Sequence, residues 1–213
     1  MALAVLLPGW ATDYHIFDTL DLEYNYLVPE VIDPDDFFEC LARNLKWGYA
    51  TMIGWSLGGI LGAHFMARYP DLIKKAIFIG VRNGYSRDAI LLMKEYMKKD
   101  IKAYLDGFYH KCFRGNRVED IDWFNSDLKK RYLENPDVDM LARQLDFLKD
   151  NALPTEVLAQ YVDRIKFIHG VSDALIKIEE AALVSGDIPG VVFDRLPGVG
   201  HPAFLHPDFG CMV

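Results

Sequence analysis

Six residues, Gly54-Trp55-Ser56-Leu57-Gly58-Gly59, constrain this chain more than any others. Before them stands a strand-like run, Tyr49-Ala50-Thr51-Met52-Ile53. After them comes a helix-like run from Ile60 to Tyr69, closed by Pro70. A strand that turns into a helix so abruptly needs a tight bend. A serine at such a bend is held in strained backbone, with its hydroxyl pushed out above the sheet edge. Gly54 and Gly58 flank it because a side chain at either place would collide across the turn.

The rest of the chain repeats this alternation. Strands are expected at 2–7, 24–28, 50–55, 74–80, 165–169 and 191–196. Helices are expected at 14–20, 35–46, 57–69 and 176–185. The pattern implies an α/β protein with a mostly parallel sheet and helices on both faces. Residues 82–151 break the alternation. They hold helical patterns at Asp88–Lys99, Ile101–Phe113, Ile121–Leu133 and Asp139–Lys149, with no convincing strand. The expected organisation is one core domain, residues 1–81 and 152–213, with a helical cap insertion at 82–151. The insertion leaves the carboxyl end of a strand, so it should sit over the serine and exclude water.

A serine hydroxyl is a poor nucleophile until an imidazole removes its proton and a carboxylate holds that imidazole in one tautomer. On a strand–turn–helix elbow of this kind the expected chain order is serine, acid, histidine. Asp173 follows Arg164–Gly170, a strand-like run, and falls in a loop at its carboxyl end, where open α/β sheets place their sites. Its bland alternative is the N-cap of the next helix. His201 stands on Pro197-Gly198-Val199-Gly200-His201, just past the last strand, where a glycine gives the loop freedom to bring the ring over the sheet edge. Ser56 too has a bland alternative, an ordinary turn serine or helix N-cap, and His201 could be a surface loop residue. The order Ser56, Asp173, His201 favours catalysis. Asp163 and Asp187 close no strand. His15, His64, His110, His169 and His206 lack a comparable setting.

Acyl transfer also needs donors aimed at the developing oxyanion. The expected pair is the backbone amides of Leu57, after the nucleophile, and Trp10, after the first strand, with Gly9 allowing the turn. Trp10 and Trp55 are the expected substrate contacts. Leu91, Leu92, Met93, Tyr96, Met97, Tyr104, Leu105, Phe108 and Tyr109 give the insertion apolar surface; most should pack its helices together, and a few should line an acyl channel. No metal-ligand spacing is present, and neither metal nor cofactor is expected.

The net charge is −8, yet residues 82–150 hold 14 of the 23 lysines and arginines and 13 of the 31 acids. Lys94, Lys98, Lys99, Lys102, Lys111, Arg114, Arg117, Lys129, Lys130 and Arg131 are therefore candidates for a basic surface, against the alternative of ordinary solvated helix faces. So acidic a chain without a recognition motif is not expected to bind nucleic acid. No apolar run reaches the roughly 18 residues of a membrane span. Ala2–Leu7 lacks a basic leader and cleavage pattern and reads as a strand. Three widely spaced cysteines, Cys40, Cys112 and Cys211, argue against a disulfide framework and fit a cytoplasmic location.

These motifs together resemble the α/β-hydrolase superfamily over nearly the whole chain. Within it, Leu7-Pro8-Gly9-Trp10, the Gly-Trp-Ser-Leu-Gly-Gly elbow and His201-Pro202-Ala203-Phe204-Leu205-His206-Pro207 are similar to the pimeloyl-[acyl-carrier protein] methyl ester esterases of biotin synthesis. The resemblance implies an α/β-hydrolase fold, a Ser56–Asp173–His201 triad, and cleavage of a small-molecule or acyl-chain ester. It also brings in an acidic acyl-carrier protein as a partner for the basic cap. Twelve residues follow His201, interrupted by Pro202 and Pro207, so no terminal helix is expected; either the fold is minimal or a partner seals that edge. The expected activity is that of a serine carboxyl-ester hydrolase. Thioester or carbon–carbon bond hydrolysis and lyase chemistry on the same triad are the rival readings, with a non-catalytic binding module behind them.

Overall fold

The computed structural model describes residues 2–30, 32–45 and 49–213. Six strands, β1 (Ala2–Leu7), β2 (Tyr24–Leu27), β3 (Ala50–Trp55), β4 (Ile73–Ile79), β5 (Ile165–Gly170) and β6 (Val192–Leu196), form one sheet in the order β2-β1-β3-β4-β5-β6. Every pair is parallel. Parallel sheets are covered on both faces, and their central strands read as continuous apolar runs. All six residues of β3 and the last four of β1 and β4 are buried accordingly. From β1 the chain first moves outward to β2 and then crosses back to β3. The β1/β3 gap is thus the switch point at whose carboxyl end an open sheet binds its ligands.

The short helix α1 (Phe37–Asn44) precedes β3, and α2 (Leu57–Arg68) follows it directly. The expected end of α1 at residue 46 lies outside the described residues. The helix expected at 14–20 is only a 3-10 turn, Tyr14–Phe17, begun by Asp13, whose carboxylate accepts from the His15 amide. Helix α2 is buried on nearly every side and packs on β1, β3 and β4. The glycine positions at the turn into it leave no room for side chains. A Cβ on Gly58 would lie 2.1 Å from the Leu7 carbonyl oxygen, and one on Gly54 would lie 2.4 Å from Gly58 O.

Between β4 and β5 lie α3 (Arg87–Lys99), α4 (Ile101–Cys112), α5 (Val118–Trp123), α6 (Lys129–Glu134) and α7 (Val138–Asp150), with no strand among the described residues. Three of these helices begin at side-chain caps. Ser86 accepts from the Ala89 amide, Asp100 from Ala103 and Asp137 from Met140, each satisfying an amide that the first turn leaves unpaired. The single helix expected over 121–133 is longer and broken by a π turn, Phe124–Leu128, joining α5 to α6. The wider turn carries both Phe124 and Leu128 into the core, with Phe124 stacked 4.0 Å from Phe113.

Polar ties fasten this segment to the sheet. Trp10 Nε1 donates to Leu141 O at 3.1 Å, Gln144 Nε2 to Ile32 O at 2.8 Å and Tyr132 Oη to Asp13 at 2.8 Å. The Tyr109 hydroxyl donates to Ala11 O, at a residue whose φ of 59° is unusual for a non-glycine. The chain then continues through α8 (Thr155–Leu158) and β5 to α9 (Ile178–Asp187) and β6. It ends in two 3-10 turns, Ala203–Leu205 and Phe209–Met212, where Pro202 and Pro207 had argued against a longer helix. Among the described residues no helix is long and apolar enough to cross a membrane.

A Cβ at position 58 has only backbone in front of it, so relief requires moving α2 off β1. Overpacking of this kind costs about 1–3 kcal/mol. Gly58→Ala is expected to lower the unfolding free energy measured by urea denaturation by an amount in that range; an unchanged value would contradict the close approach.

Candidate active site

Ser56 is the hinge between β3 and α2. Its backbone is at φ 54°, ψ −116°, and its amide donates to Ile79 O at 2.8 Å, pinning the turn to the end of β4. Although it occupies the N-cap position of α2, it makes no side-chain cap hydrogen bond. Strain of this sort persists only where the surroundings impose it, and here two neighbouring strands and the glycines of the turn do so.

Asp173 and His201 come together from two loops. The acid loop leaves β5 and the histidine loop leaves β6. Backbone bonds join them: Val171 N donates to Leu196 O at 2.8 Å and Ser172 N to Val199 O at 3.1 Å. His201 Nδ1 lies 2.7 Å from Asp173 Oδ2, and both side chains are buried. The carboxylate accepts, so Nδ1 carries the proton and Nε2 is left as the base. The other oxygen, Oδ1, accepts from the amides of Leu175 at 2.8 Å and Ile176 at 2.9 Å. Asp173 therefore organises its own turn and holds the histidine with the same group; it is not the N-cap of the next helix, a place that Lys177 takes. Burial works to raise its pKa. The opposing pull of His201, their shared hydrogen bond, the Ile176 amide and His169 prevails and holds the carboxyl below its usual value.

Trp55, expected at the substrate, does not line the cavity. It is 1% exposed, its Nε1 donates to His201 O at 3.1 Å, and its ring lies 5.5 Å from the imidazole. It supports the histidine from behind, because the last residue of a central strand alternates into the core. The reasons for two glycines also differ from expectation. A Cβ on Gly200 would lie 2.2 Å from Arg114 O, so close approach of the helical segment excludes a side chain there. A Cβ on Gly9 would meet the Trp55 ring at 2.9 Å. The residue with positive φ in that loop is Ala11.

Ser56 and His201 open onto one cavity of about 400 Å³ at the switch point. No hydrogen bond joins the two side chains among the described residues; the polar neighbour of the serine hydroxyl is Tyr85. Such contacts often close only when a substrate is bound. Trp10 forms one wall, edge-on to Phe108 at 4.9 Å, and the helical segment supplies Met93, Phe108, Leu145 and Leu148. Of the apolar stripe on α3 and α4, Met97, Leu105 and Tyr109 are buried in packing. Met93, Tyr104 and Phe108 face the cavity, while Leu91, Leu92 and Tyr96 stay exposed. The sequence reading missed Tyr85, on the loop after β4, whose hydroxyl burial holds above its usual pKa and keeps protonated. It also missed the cavity cation Arg82, and it put Lys111 on the outer basic surface, whereas that residue lines the cavity. Arg82 is paired with Glu180 at 2.8 Å; Lys111 makes no ion pair among the described residues. No cluster of His, Cys, Asp or Glu with metal-binding geometry occurs among the described residues.

The chain belongs to the α/β hydrolase fold family, which residues 8–122 match. It is 24% identical over 218 residues to the pimeloyl-[acyl-carrier protein] methyl ester esterase of Aromatoleum aromaticum, covering 95% of this chain and 81% of that one. Among solved structures, an esterase from Exiguobacterium antarcticum superposes with a TM-score of 0.80 at 20% identity, over 96% of this chain and 87% of the other. A bromoperoxidase from Bacillus anthracis gives 0.75 at 20% identity, over 99% and 90%. These two similarities show the fold. The family match and the curated relative make the chain an enzyme of the hydrolase type.

Two imidazoles, His64 and His169, have pKa values below the ordinary 6.5, with burial the main cause in each. Unfolding frees both to titrate normally. Below about pH 6.5 the unfolded chain then takes up protons that the folded chain refuses, so stability falls as pH falls. The urea midpoint is expected to be lower at about pH 5.5 than at about pH 7.5; a midpoint constant across that window would contradict the burial of the two rings.

Proposed function

We propose that this enzyme is a serine carboxyl-ester hydrolase that works through an acyl-enzyme. The observation that carries the reading is the buried 2.7 Å bond between Asp173 and His201, at a cavity that Ser56 also enters. Ser56 Oγ attacks the ester carbonyl while His201 Nε2 takes its proton. The tetrahedral oxyanion is held by the amides of Leu57 and Trp10, preorganised donors of the kind that contribute most to such steps. The intermediate collapses, and the proton on His201 leaves with the alcohol. Water, deprotonated by the same nitrogen, then attacks the acyl-enzyme and releases the acid and Ser56. Asp173 stays ionised and stabilises the imidazolium. Residues 82–151 act as a cap that closes the site against water.

Ser56→Ala is expected to leave a folded protein with turnover of short p-nitrophenyl esters reduced by about four orders of magnitude or more. The wild type should be labelled at Ser56 by a fluorophosphonate, which a mere binding module would not be. Undiminished turnover in the variant would remove Ser56 from the mechanism.

The substrate we favour is the methyl ester of an acyl chain on an acidic carrier protein, pimeloyl-carrier protein being the instance that the name of the Aromatoleum aromaticum relative gives. The apolar walls suit an acyl chain. The basic surface is narrower than the sequence implied. Lys94, Lys98, Arg117, Lys129, Lys130 and Arg131 each pair with an acid. That leaves Lys99, Lys102, Lys111 and Arg114 without an ion pair among the described residues, and Lys111 is itself on the cavity. Exchanging Lys99 and Lys102 together for Glu is expected to weaken kcat/KM on methyl pimeloyl-carrier protein by about tenfold, with free methyl pimelate little affected. Equal effects on both substrates would remove the carrier protein from this reading.

A further inference from the structure

His169 has no role in the steps above, yet it touches the acid of the triad. It lies near the end of β5, is 1% exposed, and stacks on Phe193 at 6.4 Å. Its Nε2 is 2.9 Å from Ile176 O and 3.3 Å from Asp173 Oδ2. Both partners are acceptors, so the proton is assigned to Nε2. Nδ1 is then a bare acceptor, and it is the ring nitrogen that is buried without a partner. Burial lowers the pKa of His169 against the pull of Asp173 and the Ile176 carbonyl, so at neutral pH the ring donates a hydrogen bond without carrying charge.

We propose, building on the hydrolase reading, that His169 is a positioning residue: its Nε2–H, bonded to Ile176 O, closes the turn over 173–176 and, 3.3 Å from Asp173 Oδ2, offsets part of the carboxylate's charge, so that Asp173 orients His201 without over-stabilising the imidazolium. The surroundings of the carboxylate support this. Oδ1 receives two amides and Oδ2 receives His201, while the polar edge of His169 stands 3.3 Å from Oδ2. Each donor other than His201 disperses negative charge that would otherwise act on His201 alone. A base that must accept a proton from Ser56 and soon release it is impaired if its acid partner holds that proton too firmly.

No other nearby group takes over this role. Cys112 and Tyr85 both sense the charge on Asp173, but burial holds each above its usual pKa, and both stay neutral. Arg195, paired with His169 across the β5–β6 ladder, has its guanidinium over the Phe193 ring at 5.8 Å. Among the described residues, the imidazoles beside the carboxylate are thus His201, which reacts, and His169, which does not.

The test uses the full chain with His169→Leu, which removes the donor, and His169→Gln, which keeps one at similar reach. NMR titration of labelled histidine rings reads the pKa of His201 whether or not any ester is cleaved. In the leucine variant it is expected to rise by about one unit, the equivalent of about tenfold in proton affinity. The acid limb of the kcat/KM profile should move with it, and kcat should fall by about tenfold at unchanged KM, the loss of one polar neighbour of a charged group. Glutamine should restore most of both. An unmoved His201 pKa in the folded leucine variant overturns the proposal, as does a glutamine variant shifted as far as leucine. Should the leucine variant fail to fold, His169→Asn, whose amide is too short to reach the carboxylate, takes its place with the same expectations. A wild type that shows the histidine shift on mutation but cleaves no ester would sink the hydrolase reading and leave this role of His169 intact.

Discussion

The contact on which everything else rests is the meeting of the first turn of α2 with the end of β1, where Gly58 lies directly against the Leu7 carbonyl. A helix can follow a central strand this abruptly only if its backbone passes another strand at touching distance. That contact sets the backbone of Ser56 at φ 54° and turns its side chain to the carboxyl edge of the sheet. The same approach brings the loop after β1, with Trp10, to the same edge. Nucleophile, proposed oxyanion donors and one cavity wall are thus placed by one packing event.

The acid and the base reach that edge by a different route. β5 and β6 are neighbours in the sheet, and their loops are laced by backbone bonds from Val171 to Leu196 and from Ser172 to Val199. A buried carboxylate would be costly alone. Asp173 is satisfied on both oxygens, by two amides and by His201, with the His169 ring 3.3 Å away. Burial and pairing together make the Asp173–His201 bond rigid, and they exclude water that would compete for it. Trp55 completes the arrangement from beneath, fixing the His201 backbone through its indole.

The helical segment between β4 and β5 has two duties that share residues. Tyr109, Phe113, Phe124 and Tyr132 cluster to hold its helices together, and Met93, Phe108, Leu145 and Leu148 face the cavity. Trp10 belongs to both systems, lining the cavity while its Nε1 ties Leu141 of α7 to the sheet. The charges are mostly consumed within the protein, since six of the ten candidate cations pair with acids. Sequence could count those charges, but pairing depends on which helix faces lie together, and only packing decides that.

The sequence alone determined the strand–helix alternation, the parallel sheet and the chain order of Ser56, Asp173 and His201, because these follow from local periodicity, glycine placement and turn chemistry. It placed most strand ends within a residue or two. It misjudged the turn at 14–17, where an Asp13 cap starts a helix that nothing extends, and the π turn at 124–128, which arises from the demand to bury Phe124 and Leu128 together. Tertiary structure alone decided that Trp55 supports the histidine instead of meeting substrate, that Gly200 makes room for the Arg114 carbonyl, and that Tyr85 and His169 stand beside the reacting groups. Each of these depends on contacts between residues far apart in the chain. Local pattern carries no information about such distances, which are fixed only when the sheet and helices close on one another.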